Sequence, residues 1–147
     1  MFKKTFKSDT NSFTLKFPYS WTYHPDPDSD GSTIMFWRKN GGMGTLRLTP
    51  LAISGGKVEP IISDYLSGYR KKVKKAKYYT KEGTSYLEYR ESKVKTDKDI
   101  EMYYWYVSKK DIFLILSFTT LKAEKNNPKL LKDLKDANSI VKSIKIM

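Results

Sequence analysis

Few residues in this 147-residue chain are of types that do chemistry, and their spacing limits what each can do. There is no cysteine, so disulfides, thiolate metal sites and cysteine nucleophiles are excluded. His24 is the only histidine. A Ser-His-Asp arrangement needs a base held between a carboxylate and a nucleophile, and no G-x-S-x-G elbow is present. His24 precedes Pro25 and reads as an exposed loop residue. Asp26-Pro27-Asp28-Ser29-Asp30-Gly31 has the D-x-D-x-D-G opening of a calcium loop. Its twelfth position is Trp37, where a bidentate Glu is required, and Pro27 interrupts it, so a turn is expected instead. Gly41-Gly42-x-Gly44 lies between two expected strands rather than before a helix, so it reads as a hairpin turn and not a phosphate cradle. Glu88, Glu91, Asp99 and Glu101 are interleaved with lysines, which favours cross-strand ion pairs over paired acid and base.

The densest charge is Arg70-Lys71-Lys72-Val73-Lys74-Lys75-Ala76-Lys77, followed by Tyr78 and Tyr79. Residues 57–81 hold eight basic and two acidic side chains, half of the net charge of +12. Such a run at a helix end complements the macrodipole and also makes a cationic surface for an acidic partner. Arg70, Lys71, Lys72, Lys74, Lys75, Lys77, Tyr78 and Tyr79 are therefore the expected partner-binding residues. Tyr103-Tyr104-Trp105-Tyr106 offers ring faces for stacking, but no basic–Gly–aromatic pattern accompanies it, so core packing is expected.

The chain that must position these groups is one domain long, residues 1–147. Hydrophobic residues make up 39% and aromatics 14%, too apolar for disorder despite 30% charge. Of 28 Lys and Arg only four are Arg, leaving 24 Lys. Arg supplies bidentate forks for phosphates and bases, whereas Lys is a hydrated point charge, so an acidic protein is favoured over nucleic acid. The basic N-terminus leads into no apolar segment, and the apolar run Ile112–Leu116 is too short to span a bilayer. A cytoplasmic chain without membrane insertion is expected.

Alternation predicts strands around Phe2–Phe6, Phe13–Phe17, Trp21–Tyr23, Thr33–Lys39, Thr45–Ile53, Thr84–Val94, Ile100–Val107 and Ile112–Thr120. Ile61, Ile62, Tyr65, Leu66, Tyr69, Val73 and Ala76 form the stripe of a helix over residues 60–76, with Pro60 in its first turn. Asn127-Pro128 starts a second helix, lined inward by Leu130, Leu131, Leu134, Ala137, Val141 and Ile144. The expectation is an α+β fold: a largely antiparallel sheet of six or seven strands flanked by two main helices.

Phe13-Thr14-Leu15-Lys16-Phe17-Pro18-Tyr19-Ser20-Trp21 resembles the strand–Pro–x–x–Trp opening of Mog1/PsbP-like domains. Ala137-Asn138-Ser139-Ile140-Val141-Lys142-Ser143-Ile144 is similar to their closing helix. The resemblance spans nearly the whole chain and extends to bacterial families of unknown function with this fold. It implies an αβα sandwich used for protein binding. Mog1 members bind a small GTPase, PsbP members dock on a photosystem, and some bacterial relatives look like immunity proteins. No catalytic residue is shared across that group, and no binding motif carries over position for position.

The expected function is a non-enzymatic interaction domain, such as an immunity or adaptor protein, that covers an acidic protein surface without a cofactor. Two other classes compete with it. One is nucleic-acid binding through the basic helix end at 70–77. The other is a small-ligand binder or enzyme using a pocket between sheet and helices.

Overall fold

The computed structural model describes residues 3–29, 32–52, 68, 76–110 and 112–147. Among the described residues, ten strands form two antiparallel sheets. Strands β1 (Lys3–Lys7), β2 (Phe13–Pro18) and β10 (Lys145–Ile146) make a small sheet in the order β1-β2-β10. Strands β3 (Trp21–Pro25), β4 (Ile34–Arg38), β5 (Thr45–Ala52), β6 (Lys77–Lys81), β7 (Thr84–Lys95), β8 (Lys98–Lys109) and β9 (Ile112–Leu121) make the large one. Its order is β3-β4-β5-β9-β8-β7-β6. The α+β class and the seven-stranded sheet agree with the sequence. The separate small sheet does not: the first two strands leave the main sheet, and the final extension returns to pair with β2.

One α-helix, α1 (Pro128–Lys142), is complete among the described residues, where the sequence leads to an expectation of two main helices. The helix expected over residues 60–76 lies outside the described residues apart from Gly68 and Ala76. Helix α1 starts as its sequence predicts. Pro128 occupies the first turn, and the Asn127 side chain accepts the Lys129 N–H at 3.0 Å.

The hairpins follow from turn chemistry. Glu82 and Gly83 both have positive φ between Lys81 and Thr84, and Thr96 and Asp97 do so between Lys95 and Lys98. Two such residues match the twist of a tight hairpin. Asn40 does not share the positive φ of Gly41, because the β4–β5 connection is longer than a two-residue turn. Pro50 is tolerated inside β5 because β4 reaches only as far as Leu48, so that stretch of β5 is an edge on one side.

Strand alternation divides the side chains between two faces. On one face Phe36, Leu46, Leu48, Leu114, Leu116, Phe118, Trp105 and Val107 meet β2 and α1 through Phe13, Leu15, Phe17, Leu130, Ala137, Ile140 and Val141. Leu87, Tyr89, Tyr106 and Phe113 form a second buried cluster on the opposite face. The helix buries Leu130, Ala137 and Val141 as expected, but Leu131 is 50% exposed. In its place the inner face carries two carboxylates, Asp133 and Asp136.

Candidate functional site

Those carboxylates are the first polar groups to account for. Asp133 is fully buried. Arg38 Nε lies 2.8 Å from its Oδ1, an ion pair whose N–H is not aligned as a hydrogen bond. Asp133 Oδ2 accepts the Met43 N–H at 2.6 Å. Asp136 accepts the Trp21 indole N–H at 3.2 Å and Lys132 Nζ at 2.9 Å. Both clamp α1 to β3, β4 and the turn after β4, and a buried charge needs such partners. Their work is structural.

The sequence candidates scatter. His24 lies on β3 rather than in a loop, exposed and opposite Met35, with Nδ1 2.6 Å from the Pro25 carbonyl oxygen. Asp26 accepts the Asp28 N–H at 2.9 Å and pairs with Arg47 at 3.6 Å, so it serves its turn; Asp30 and Gly31 lie outside the described residues. Among the described residues no three His, Asp or Glu side chains are placed to hold a metal ion. Gly44 is forced by packing: a Cβ there would sit 2.1 Å from Phe118 Cζ. Tyr103 and Trp105 share one sheet face and Tyr104 and Tyr106 the other, as alternation requires. Glu101 accepts Ser92 Oγ at 2.8 Å and pairs with Arg90 at 3.8 Å, and Glu91 pairs with Lys93 at 3.6 Å.

Arg70, Lys71, Lys72, Lys74 and Lys75 lie outside the described residues. Lys77, Tyr78 and Tyr79 do not continue a helix end. They begin β6, the edge strand next to β7. Alternation then separates the two tyrosines. Tyr78 packs with the second cluster and reaches Ser85 at 3.4 Å. Tyr79 lies on the α1 side, 36% exposed, its ring stacked on Tyr86 at 4.8 Å and 8°.

Tyr86 leads to a cleft of about 430 Å³. Five lysines from separate elements rim it: Lys16 of β2, Lys81 of β6, Lys109 of β8, Lys142 of α1 and Lys145 of β10. Among the described residues, Glu82 is the only acidic side chain on it. The rim is held by specific contacts. Ser143 Oγ accepts the Lys16 N–H at 2.8 Å and lies 2.6 Å from Ile140 O and 3.1 Å from Lys16 O. The Tyr86 hydroxyl donates to Ile144 O at 3.3 Å. Burial pushes the Tyr86 phenol above its ordinary value, and Glu82 adds to that, so it remains a neutral donor at neutral pH. A second depression of about 440 Å³ at the far end of β8 mixes Lys98 and Lys122 with Asp99.

No protein-family model matches the chain, and no curated protein matches it. Solved structures do. A protein from Bacteroides thetaiotaomicron aligns over 100% of this chain with 16% identity and a TM-score of 0.74. This chain spans only 49% of that longer one. LpqN of Mycobacterium tuberculosis, a protein involved in cell envelope biogenesis, aligns over 99% of this chain and 90% of its own, with 15% identity and a TM-score of 0.57. Cyanobacterial PsbP from Synechocystis aligns over 99% and 92% with 8% identity and a TM-score of 0.46. The likeness is one of fold. The chain has the Mog1/PsbP-like fold that its two end motifs suggest. Those motifs meet in space through Lys16 on Ser143, and Trp21 reaches Asp136 just before the second of them.

Proposed function

We propose that this domain is a non-catalytic interaction module that binds an acidic protein, in the manner of an immunity or adaptor protein. The observation that carries the reading is the convergence of Lys16, Lys81, Lys109, Lys142 and Lys145 on one cleft. Five like charges gathered with a single carboxylate, Glu82, among the described lining residues repel one another, and an acidic ligand relieves that repulsion. Tyr79, stacked on the cleft-lining Tyr86, supplies contact area beside it. The Ser143 and Tyr86 hydroxyls on the cleft are engaged in holding the rim, Ser143 with Lys16 and Ile140 and Tyr86 with Ile144, which suits recognition better than catalysis.

Nucleic acid is the weaker partner. Among the described residues, Arg38, Arg47 and Arg90 are each paired through Nε with a carboxylate, which engages part of the fork that such recognition uses.

The test is an anisotropy titration of labelled poly-glutamate against the wild type and the Lys81→Glu/Lys109→Glu variant. Binding that weakens on charge reversal supports the reading. Equal binding by both proteins removes the cleft from it. A duplex oligonucleotide that binds more tightly, with a steep log–log salt dependence, would put nucleic acid in its place.

A further inference from the structure

We infer that the acidic ligand enters this cleft as an extended segment lying along β10, adding a strand to the small sheet. This rests on the acidic-partner reading above and specifies the ligand's conformation.

Strand β10 pairs with β2 on one side only. Its register sets Lys145 against Thr14 and Ile146 against Phe13, and the Met147 N–H donates to Ser12 O at 2.9 Å. Antiparallel ladders alternate hydrogen-bonded and non-hydrogen-bonded pairs. The Met147–Ser12 bond therefore puts Lys145 in a bonded position and Ile146 in a non-bonded one. The N–H and C=O of Ile146 turn to the edge opposite β2, where no strand pairs with them among the described residues. Ile146 is only 4% exposed, yet it lines the cleft together with Lys145 and Met147. A nearly buried peptide group needs a hydrogen-bonding partner, and a strand laid along this edge supplies one.

The charges choose the strand. Lysines beside an open edge ordinarily discourage strand addition. Five of them around one cleft repel basic segments and attract carboxylates. In an extended segment alternate side chains project to one side about 6.7 Å apart. A run with Asp or Glu at every second position thus presents carboxylates in a row while its backbone meets Ile146. Strand addition gives affinity through the main chain and selectivity through alternate side chains.

The experiment uses the full chain and three fluorescein-labelled peptides of about ten residues, alternating Glu and Thr. One is unmodified, one is N-methylated on its Thr amides and one on its Glu amides. Each methylation blocks the N–H groups along one edge of the extended peptide. Edge docking predicts that one methylated peptide weakens by about tenfold while the other binds like the parent. Equal affinity of all three, with binding still lost in the Lys109→Glu/Lys142→Glu variant, overturns strand docking and leaves the acidic-partner reading standing. Equal weakening of both methylated peptides also overturns it, because the effect is then not confined to one edge. No binding of any peptide at low salt overturns both. Far-UV circular dichroism of the variant confirms that it is folded before the comparison is made.

Discussion

The indole N–H of Trp21 donates to Asp136 Oδ2 at 3.2 Å, across 115 residues of sequence. Both groups are buried, and Asp136 is also held by Lys132. This bond joins β3, whose first residue ends the first resemblance motif, to the helix that carries the second. It explains why a tryptophan, with a donor as well as a ring, stands after the Pro18 turn. Replacing Asp136 by Ala leaves the indole N–H unpaired in the core, at a cost of about 1–3 kcal/mol. Trp21→Phe leaves Asp136 with Lys132 but also removes volume from a filled site. Urea unfolding of both single variants and the double variant should give a favourable coupling between them. Simple additivity would mean that the bond contributes nothing.

Arg38 and Asp133 make the more demanding pair. Asp133 is inaccessible to solvent, and Arg38 Nε is 2.8 Å away. Arg38→Met strands the carboxylate with only the Met43 N–H, and is expected to destabilise by about 3–5 kcal/mol. The double variant Arg38→Met/Asp133→Leu removes both charges and should recover most of that loss. Thermal unfolding of the three proteins checks this; a double variant as weak as Arg38→Met would contradict it.

The glycines after β4 separate space from backbone conformation. A Cβ at Gly44 meets the Phe118 ring at 2.1 Å, so Gly44→Ala forces the core apart and should cost about 1–3 kcal/mol. At Gly41 nothing lies within 4 Å, but φ is +71°, so Gly41→Ala should cost only about 1 kcal/mol. Denaturant midpoints that reverse this order would show that the turn, rather than the packing, decides the conformation.

Alkaline stability follows from the tyrosines. Burial raises the Tyr86 pKa above its ordinary value of 10.0, and Glu82 raises it further. Tyr79 is raised by burial first, then by Glu88 and Tyr86. The folded chain therefore holds these protons to higher pH than the unfolded chain does. The associated stability is complete below about pH 10 and is lost as pH rises through the folded values. Tyr86→Phe should flatten the fall in stability above pH 10. An unchanged alkaline slope would remove Tyr86 from the account.

Much of the fold was legible because β7, β8 and β9 declare themselves by alternation and by two-residue turns, and α1 by Asn127-Pro128. The strand β6 was not. Its Lys77-Tyr78-Tyr79-Thr80-Lys81 begins at the end of a basic run and shows no clean alternation, whereas pairing with Thr84–Glu88 makes it a strand. Asp133 and Asp136 were hidden because carboxylates on a helix normally mark its wet face. Here their partners, Arg38 and Trp21, come from strands more than ninety residues earlier. The cleft was illegible for the same reason. Lys16, Lys109, Lys142 and Lys145 lie outside the dense run at 57–81, and only the sheet register and the return of β10 gather them with Lys81. The total lysine content signalled a basic surface without saying where it lies.

The central claim is that these five lysines form one acidic-ligand site. It is tested most directly by following backbone amide resonances during titration with unlabelled poly-glutamate at low salt. The account predicts saturable shifts concentrated at Lys16, Lys81–Thr84, Lys109 and Lys142–Met147, abolished by Lys81→Glu/Lys109→Glu. Weak shifts spread evenly over all exposed lysines, or a cluster at Lys98 and Lys122 instead, would contradict it.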